Sequence, residues 1–135
     1  MNQTKRSYPG LNVQHPISRL ILNGSKSIET RTYPLPSQYI GKEMLLIETP
    51  GKEGKFKARI IGIAVFGESF KYKNKKDFYL DQQYHCVSPT SLWKWQPKKP
   101  KWGWPVLKII KVPDEIPTLG RRGIIFTREI HFGKY

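Results

Sequence analysis

The sequence predicts a single α+β domain of about six strands with two or three short helices, spanning residues 1–135. Three observations carry this. Short β-rich apolar runs recur along the chain and are separated by turns bearing Pro or Gly. Helices are few and short: Ile17, Leu20 and Ile21 fall at i, i+3 and i+4, and a second helix is read after Asp77. No linker or repeat divides the 135 residues, a length that buries a sizeable core as one unit.

Residues 1–7 are polar and basic and are expected to form a loose arm. Leu11-Asn12-Val13-Gln14 alternates apolar with polar, the pattern of a half-buried strand. Pro16 suits the first position of the helix that follows, where its missing N–H costs nothing. Gly24 falls where a helix ends in a left-handed residue.

The stretch Asn23-Gly24-Ser25-Lys26-Ser27-Ile28-Glu29-Thr30-Arg31 then enters a second strand carrying three charges. Alternation sends Ser27, Glu29 and Arg31 to one face and Ile28 and Thr30 to the other, with Ile28 expected in the core. A carboxylate between two cations is held ionised and oriented, and the remaining donors can receive a polar or anionic ligand. The plain alternative is a surface ion-pair cluster.

Tyr33-Pro34-Leu35-Pro36 breaks this strand, and Gly41 marks a turn. Glu43–Thr49 reads as a buried strand, closed by the polar turn Pro50–Gly54. Phe56–Phe66 is the longest β-rich run and the expected central strand. Its apolar alternation switches parity at Ile60-Ile61-Gly62, which predicts a bulge. Residues 71–76 read as a solvated basic loop, and Asp77 as the cap of the second helix, with Phe78, Leu80 and Tyr84 on its inner face.

All four tryptophans lie in residues 93–105, as the pairs Trp93/Trp95 and Trp102/Trp104. The spacing suits a hairpin with indoles stacked across it, at least one of each pair in the core, and a lysine tip at Lys98, Lys99 and Lys101 in solvent. Exposed indoles would instead stack on bases, with the lysines on phosphates. Val106–Val112 is a further strand ended by Pro113 and Pro117. Gly120-Arg121-Arg122-Gly123 is a basic turn, and Ile124–Ile130 closes the sheet.

Leu11-Asn12-Val13-Gln14-His15-Pro16, the run Ile21–Arg31 and the segment to Pro34-Leu35 together resemble the ASCH domain, a branch of the PUA-like superfamily. The strand, the proline at the helix start and the G-x-K-x-x-E-x-R signature occur in order over roughly the first quarter of the chain. Beyond residue 50 the likeness is one of compatible strand order. The resemblance implies a small PUA-like mixed β-barrel with a cleft beside the signature, and ligands from the nucleic-acid or nucleotide world. It also implies a hydrolase as the alternative, since certain members cleave RNA and others deacylate a modified cytidine nucleoside. The latter use a lysine, a glutamate and a threonine three residues after the lysine. Here Lys26 matches the lysine, but the threonine slot holds Glu29, and Ser27 and Thr30 stand at other spacings. For RNA cleavage, Glu29 or His15 would serve as base and Lys26 and Arg31 as stabilisers of phosphorane charge.

Composition points the same way. Lys and Arg number 24 against 10 acidic residues, a formal charge of +14, which attracts polyanions and makes nucleic acid the expected partner. RNA is favoured because its splayed bases would stack on the aromatics beside the cleft that the resemblance implies. No basic amphipathic helix suits a membrane surface, and no run approaches the ~20 apolar residues of a spanning helix. With no apolar signal region, the expected location is cytoplasmic. One cysteine, Cys86, leaves no internal disulfide, and His15, His85 and His131 have no zinc spacing, so neither metal nor cofactor is expected. Cys86 beside His85 suggests a nucleophile and base, but neighbours on a regular element point apart, and a buried structural thiol is the expectation. The candidate nucleic-acid-binding residues are therefore Gln14, His15, Lys26, Ser27, Glu29, Arg31, Tyr33, Trp93, Trp95, Lys98, Lys99, Lys101, Trp102, Arg121 and Arg122, with Lys26 and Glu29 catalytic if the chain is an enzyme. A third reading makes the tryptophan segment an anchor for a protein partner.

Overall fold

A computed structural model describes residues 6–51, 55–118 and 124–130. Its strands are β1 (Arg6–Gln14), β2 (Ile28–Arg31), β3 (Glu43–Thr49), β4 (Arg59–Phe66), β5 (Phe70–Lys71), β6 (Trp102–Pro117) and β7 (Ile124–Ile130). The helices are α1 (Ile17–Leu22), α2 (Lys75–Leu80) and α3 (Gln82–His85), with one 3₁₀ turn at Ser37–Tyr39. The strands run β2-β6-β4-β3-β1-β7 across one mixed sheet, and β5 adds to β6. The sheet curls into a half-barrel whose strand path ends at β2 and β7. β1 and β3 are parallel; the other pairs are antiparallel.

β3 explains why its sequence reads as an unbroken apolar run. Met44 and Leu46 enter one core with Leu11, Val13, Ile21, Phe66 and Trp104, while Leu45 and Ile47 enter another with Ala58, Ile60, Ile63 and Val112. A strand covered on both faces has no polar side to alternate. On β4 the expected bulge is present. The ladder slips at Ile60–Gly62 against both neighbours, so Ile60 and Ile61 serve opposite cores and Ala64 and Phe66 rejoin the first.

Several expectations are corrected. Of the arm expected at residues 1–7, Arg6 and Ser7 belong to β1, and residues 1–5 lie outside the described residues. The strand expected from Phe56 begins at Arg59. β6 runs through Pro113 as one strand of 16 residues because it serves two ladders. Residues 102–105 pair with β2, and residues 106–117 pair with β4. Pro113 falls where the β4 ladder jumps from Lys111 to Ile116, so no bond is asked of its nitrogen.

The cap of α2 is Asn74, whose side chain accepts from the Asp77 N–H at 2.8 Å, so Asp77 lies one turn inside the helix. The helix then breaks at Asp81, which accepts from the Tyr72 hydroxyl at 2.8 Å. Leu80 and Tyr84 are thereby left exposed, and the third cluster is Tyr72, Phe78 and Val87 with Trp95 against it. The tryptophans form no hairpin: Trp93 and Trp95 sit on the loop before β6, and only Trp104 is fully buried. Among the described residues no helix is long and apolar enough to cross a membrane. Arg121 and Arg122 lie outside the described residues.

Candidate nucleotide pocket

The charged strand β2 points inward. Glu29 stands opposite Trp104 on the β2–β6 ladder, and opposed residues share a face, so the signature faces the interior of the half-barrel. Ile28 lies on the other face, opposite Pro105, only half-buried and outside the core it was expected to serve. The turn ahead of β2 is fixed on three sides. Gly24 takes the left-handed conformation at φ 85° as expected, the Lys26 N–H donates to the Leu20 carbonyl at 2.9 Å, and the Ser27 N–H donates to the Tyr84 carbonyl at 2.9 Å.

Glu29 is 4% exposed, and its carboxylate accepts from Arg31 Nε at 3.0 Å, from Arg31 Nη2 at 2.8 Å and from the Thr30 N–H at 3.2 Å. Lys26 Nζ lies 3.8 Å away. Burial alone raises this carboxyl, but the Arg31 and Lys26 charges outweigh it and hold it below the usual carboxylate range. Burial lowers the Arg31 guanidinium, and Glu29 more than restores it. Arg31 also donates to the Asn12 carbonyl at 2.8 Å and lies over the Trp104 ring at 5.7 Å.

Lys26, 3% exposed, donates to the His85 carbonyl, and burial pulls its ammonium below the usual lysine range despite the neighbouring Glu29. Lys101 departs from its expected place in solvent at a loop tip. It is 7% exposed instead, donates to the Trp93 carbonyl at 2.6 Å, and is lowered by burial and then by Lys26 and Lys99. The two lysines thus hold the two ends of residues 85–93, which wall the pocket.

Between that wall, β1, α1 and β2 lies a pocket of about 650 Å³, within the range of small-molecule sites. Of the expected residues it gathers Gln14, Lys26, Glu29, Arg31, Tyr33, Trp93 and Lys101. Trp93 and Tyr33 are 44% and 38% exposed, aromatic faces open to a ligand.

The others lie elsewhere. His15 turns away to Glu48, at 3.1 Å. Ser27 spends its backbone on Tyr84 and Val106 and does not line the pocket. Trp95 packs on Phe78, and Trp102 packs against the first core. Lys98 and Lys99 are exposed and outside the lining.

Sequence reasoning missed Asn12 and set aside His85 and Cys86, all three of which line the pocket. Cys86, expected to be buried, ends α3 in the left-handed conformation at φ 61°, which leaves it exposed at the pocket wall. His85 is no base for it. The Val87 N–H donates to His85 Nδ1 at 2.9 Å, so the proton sits on Nε2, which donates to the Phe78 carbonyl at 2.6 Å. Burial lowers this imidazole and keeps it neutral. Among the described residues no three His, Cys, Asp or Glu side chains come together to hold a metal ion.

No protein-family model matches the chain, and no curated protein matches it. Solved structures do. The crystal structure of ASCH from Zymomonas mobilis superposes with a TM-score of 0.70 at 11% identity, covering 90% of this chain and 88% of that one. A serine-to-alanine mutant of the same protein gives 0.70 and 11% over 90% and 89%. A tyrosine-to-phenylalanine mutant gives 0.70 and 12% over 92% of each chain. The chain therefore has the fold of an ASCH domain, in keeping with its signature region.

Proposed function

We propose that this chain is a nucleic-acid-binding module that seats one nucleotide of a single-stranded RNA in the pocket beside Lys26, Glu29 and Arg31. The observation that carries the reading is the lining itself. Lys26, Arg31 and Lys101 supply cations, Val13, Ile17, Leu20 and Val87 supply apolar surface, and Trp93 and Tyr33 offer open rings. A nucleotide has the matching parts: a heterocycle that stacks, a sugar that tolerates apolar contact, and an anion. The formal charge of +14 supports contacts with flanking phosphates outside the pocket, where Lys98 and Lys99 are exposed. The ASCH fold supports the reading by analogy only.

In this account Glu29 is a positioning group. Its bonds to Arg31 and to the Thr30 N–H leave it little capacity for a substrate proton. His15, the other base a ribonuclease would draw on, faces Glu48. Binding without cleavage is therefore the better supported reading. For the hydrolase alternative, Lys26 is the group left to move a proton.

Anisotropy titration of single-stranded RNA, single-stranded DNA and duplexes, at low and moderate salt and with products run on gels, tests the proposal. Binding that weakens steeply with salt while the RNA stays intact is expected. Trp93→Ala should weaken it by about 1–3 kcal/mol, the stacking contribution of one base, without lowering the melting temperature. Salt-independent binding to a protein partner, with no nucleic acid bound, would replace this reading with the adaptor.

A further inference from the structure

We infer, building on that reading, that the anion entering this pocket is a phosphate monoester: the phosphorylated end of an RNA strand, or a free mononucleotide, in preference to an internal phosphodiester. The argument is one of charge. Lys26, Arg31 and Lys101 face the pocket against one carboxylate, Glu29, which leaves two formal positive charges among the described lining residues. Glu29 is shared between Arg31, at 2.8 Å, and Lys26, at 3.8 Å, so one carboxylate answers two cations and Lys101 is left without one. Lys26 and Lys101 direct their ammonium groups at neutral backbone carbonyls, those of His85 and Trp93. Among the described residues no ion pair within 4.0 Å reaches Lys101. His85, fixed as the neutral tautomer, adds no charge.

Buried cations without a counter-charge are costly, and a ligand that supplies one recovers that cost on binding. An internal phosphodiester carries one negative charge, and strand geometry keeps it between two sugars. A monoester carries a charge of about −1.5 to −2 near neutral pH and three acceptor oxygens, so it can serve several donors at once. It is also the only phosphate of a strand with one free side, as entry into a walled pocket requires.

The test is a competition on the full chain. An internally labelled single-stranded RNA is displaced by unlabelled oligonucleotides of one sequence bearing a 5′-phosphate, a 3′-phosphate or hydroxyls at both ends, and by a nucleoside monophosphate against its nucleoside. One phosphorylated end is expected to compete better than the hydroxyl ends by roughly 10- to 100-fold, the factor for one charge-assisted bond. The monophosphate should compete where the nucleoside does not. Lys101→Met should bring both ratios close to one, and Lys101→Arg should retain most of the preference. The wild-type ratio decides the inference even if a variant fails to fold. Equal competition by phosphorylated and hydroxyl-ended strands would overturn it and leave the single-strand reading standing. Direct binding of the monophosphate and not of the nucleoside, read by calorimetry, with no strand bound would support the monoester and remove the strand. Absence of any binding would remove both.

Discussion

Glu29 and Trp104 face each other across the β2–β6 ladder and enter the same interior, one as a carboxylate and the other as a fully buried indole. The charges of the signature are therefore interior charges. Each must be answered by a neighbour, and each answer is visible: Arg31 and Lys26 for Glu29, the Asn12 carbonyl for Arg31, and the His85 carbonyl for Lys26.

Glu29 is expected to matter for stability as well as for binding. Spacing alone suggests that alanine at Lys26 or Glu29 would spoil a cleft and spare the fold. With Glu29 buried, Glu29→Ala leaves Arg31 and Lys26 without their carboxylate, and breaking a buried pair costs about 3–5 kcal/mol. Chemical denaturation of Glu29→Ala should show a loss of this size. A midpoint within error of wild type would mean that water reaches the site freely.

A second buried carboxylate makes the fold sensitive to acid. Glu48 accepts from Ser18 at 2.6 Å, from Arg19 at 2.8 and 2.9 Å and from Arg59 at 2.9 Å. Burial raises its carboxyl, but these bonds and that of His15 bring it from 4.5 down to about 2. A folded value below the unfolded one stabilises the fold above the unfolded value, and the gain is lost as pH falls from about 4.5 through about 2. Urea midpoints measured from pH 6 to pH 3 should fall for wild type. Glu48→Gln should be less stable at pH 6 and flatter across the range.

The slip in β4 fixes Gly62. A Cβ there would stand 2.7 Å from the Ile110 carbonyl oxygen and 2.9 Å from Leu22 Cδ1. The first is backbone and cannot swing aside, so Gly62→Ala should cost about 1–3 kcal/mol by overpacking. A thermal melt indistinguishable from wild type would show that β4 and β6 can separate locally at little cost.

For the lysine loop, Lys98 and Lys99 stay in solvent and Lys101 does not. Replacing Lys98 and Lys99 with glutamine should weaken binding across sequences and flatten the salt slope by up to about two, one for each phosphate no longer neutralised. An unchanged slope takes the loop off the phosphate path.

The legible parts are those where a local rule and the tertiary environment agree. β3, the bulge at Ile60–Gly62 and the left-handed Gly24 follow from parity and turn chemistry. Lys26, Glu29 and Arg31 stand out because three charges at strand spacing need a common explanation. Lys101 stands out only as a solvent cation, because a lysine between a proline and a tryptophan reads as loop, and nothing local says that it is buried or that its carbonyl partner lies eight residues back. The αL turn at Cys86 and the break at Asp81 depend on contacts from Tyr72 and Ser25, which no periodicity encodes. β6 reads as too short for a similar reason, since Pro113 is harmless only where the β4 ladder skips.

The placement of β1 also governs how the chain must fold in time. Gly10 pairs with Leu45 on one side and with Ile125 on the other. The first partner is close in sequence; the second requires closing a loop of more than a hundred residues. Nucleation around β3 and β4 can therefore precede completion, while one flank of β1 keeps its amide and carbonyl groups unpaired until the ribosome has delivered Ile124. Such non-local pairing places folding on the millisecond-to-second scale. During synthesis that open flank is the place where a second nascent copy would add a strand.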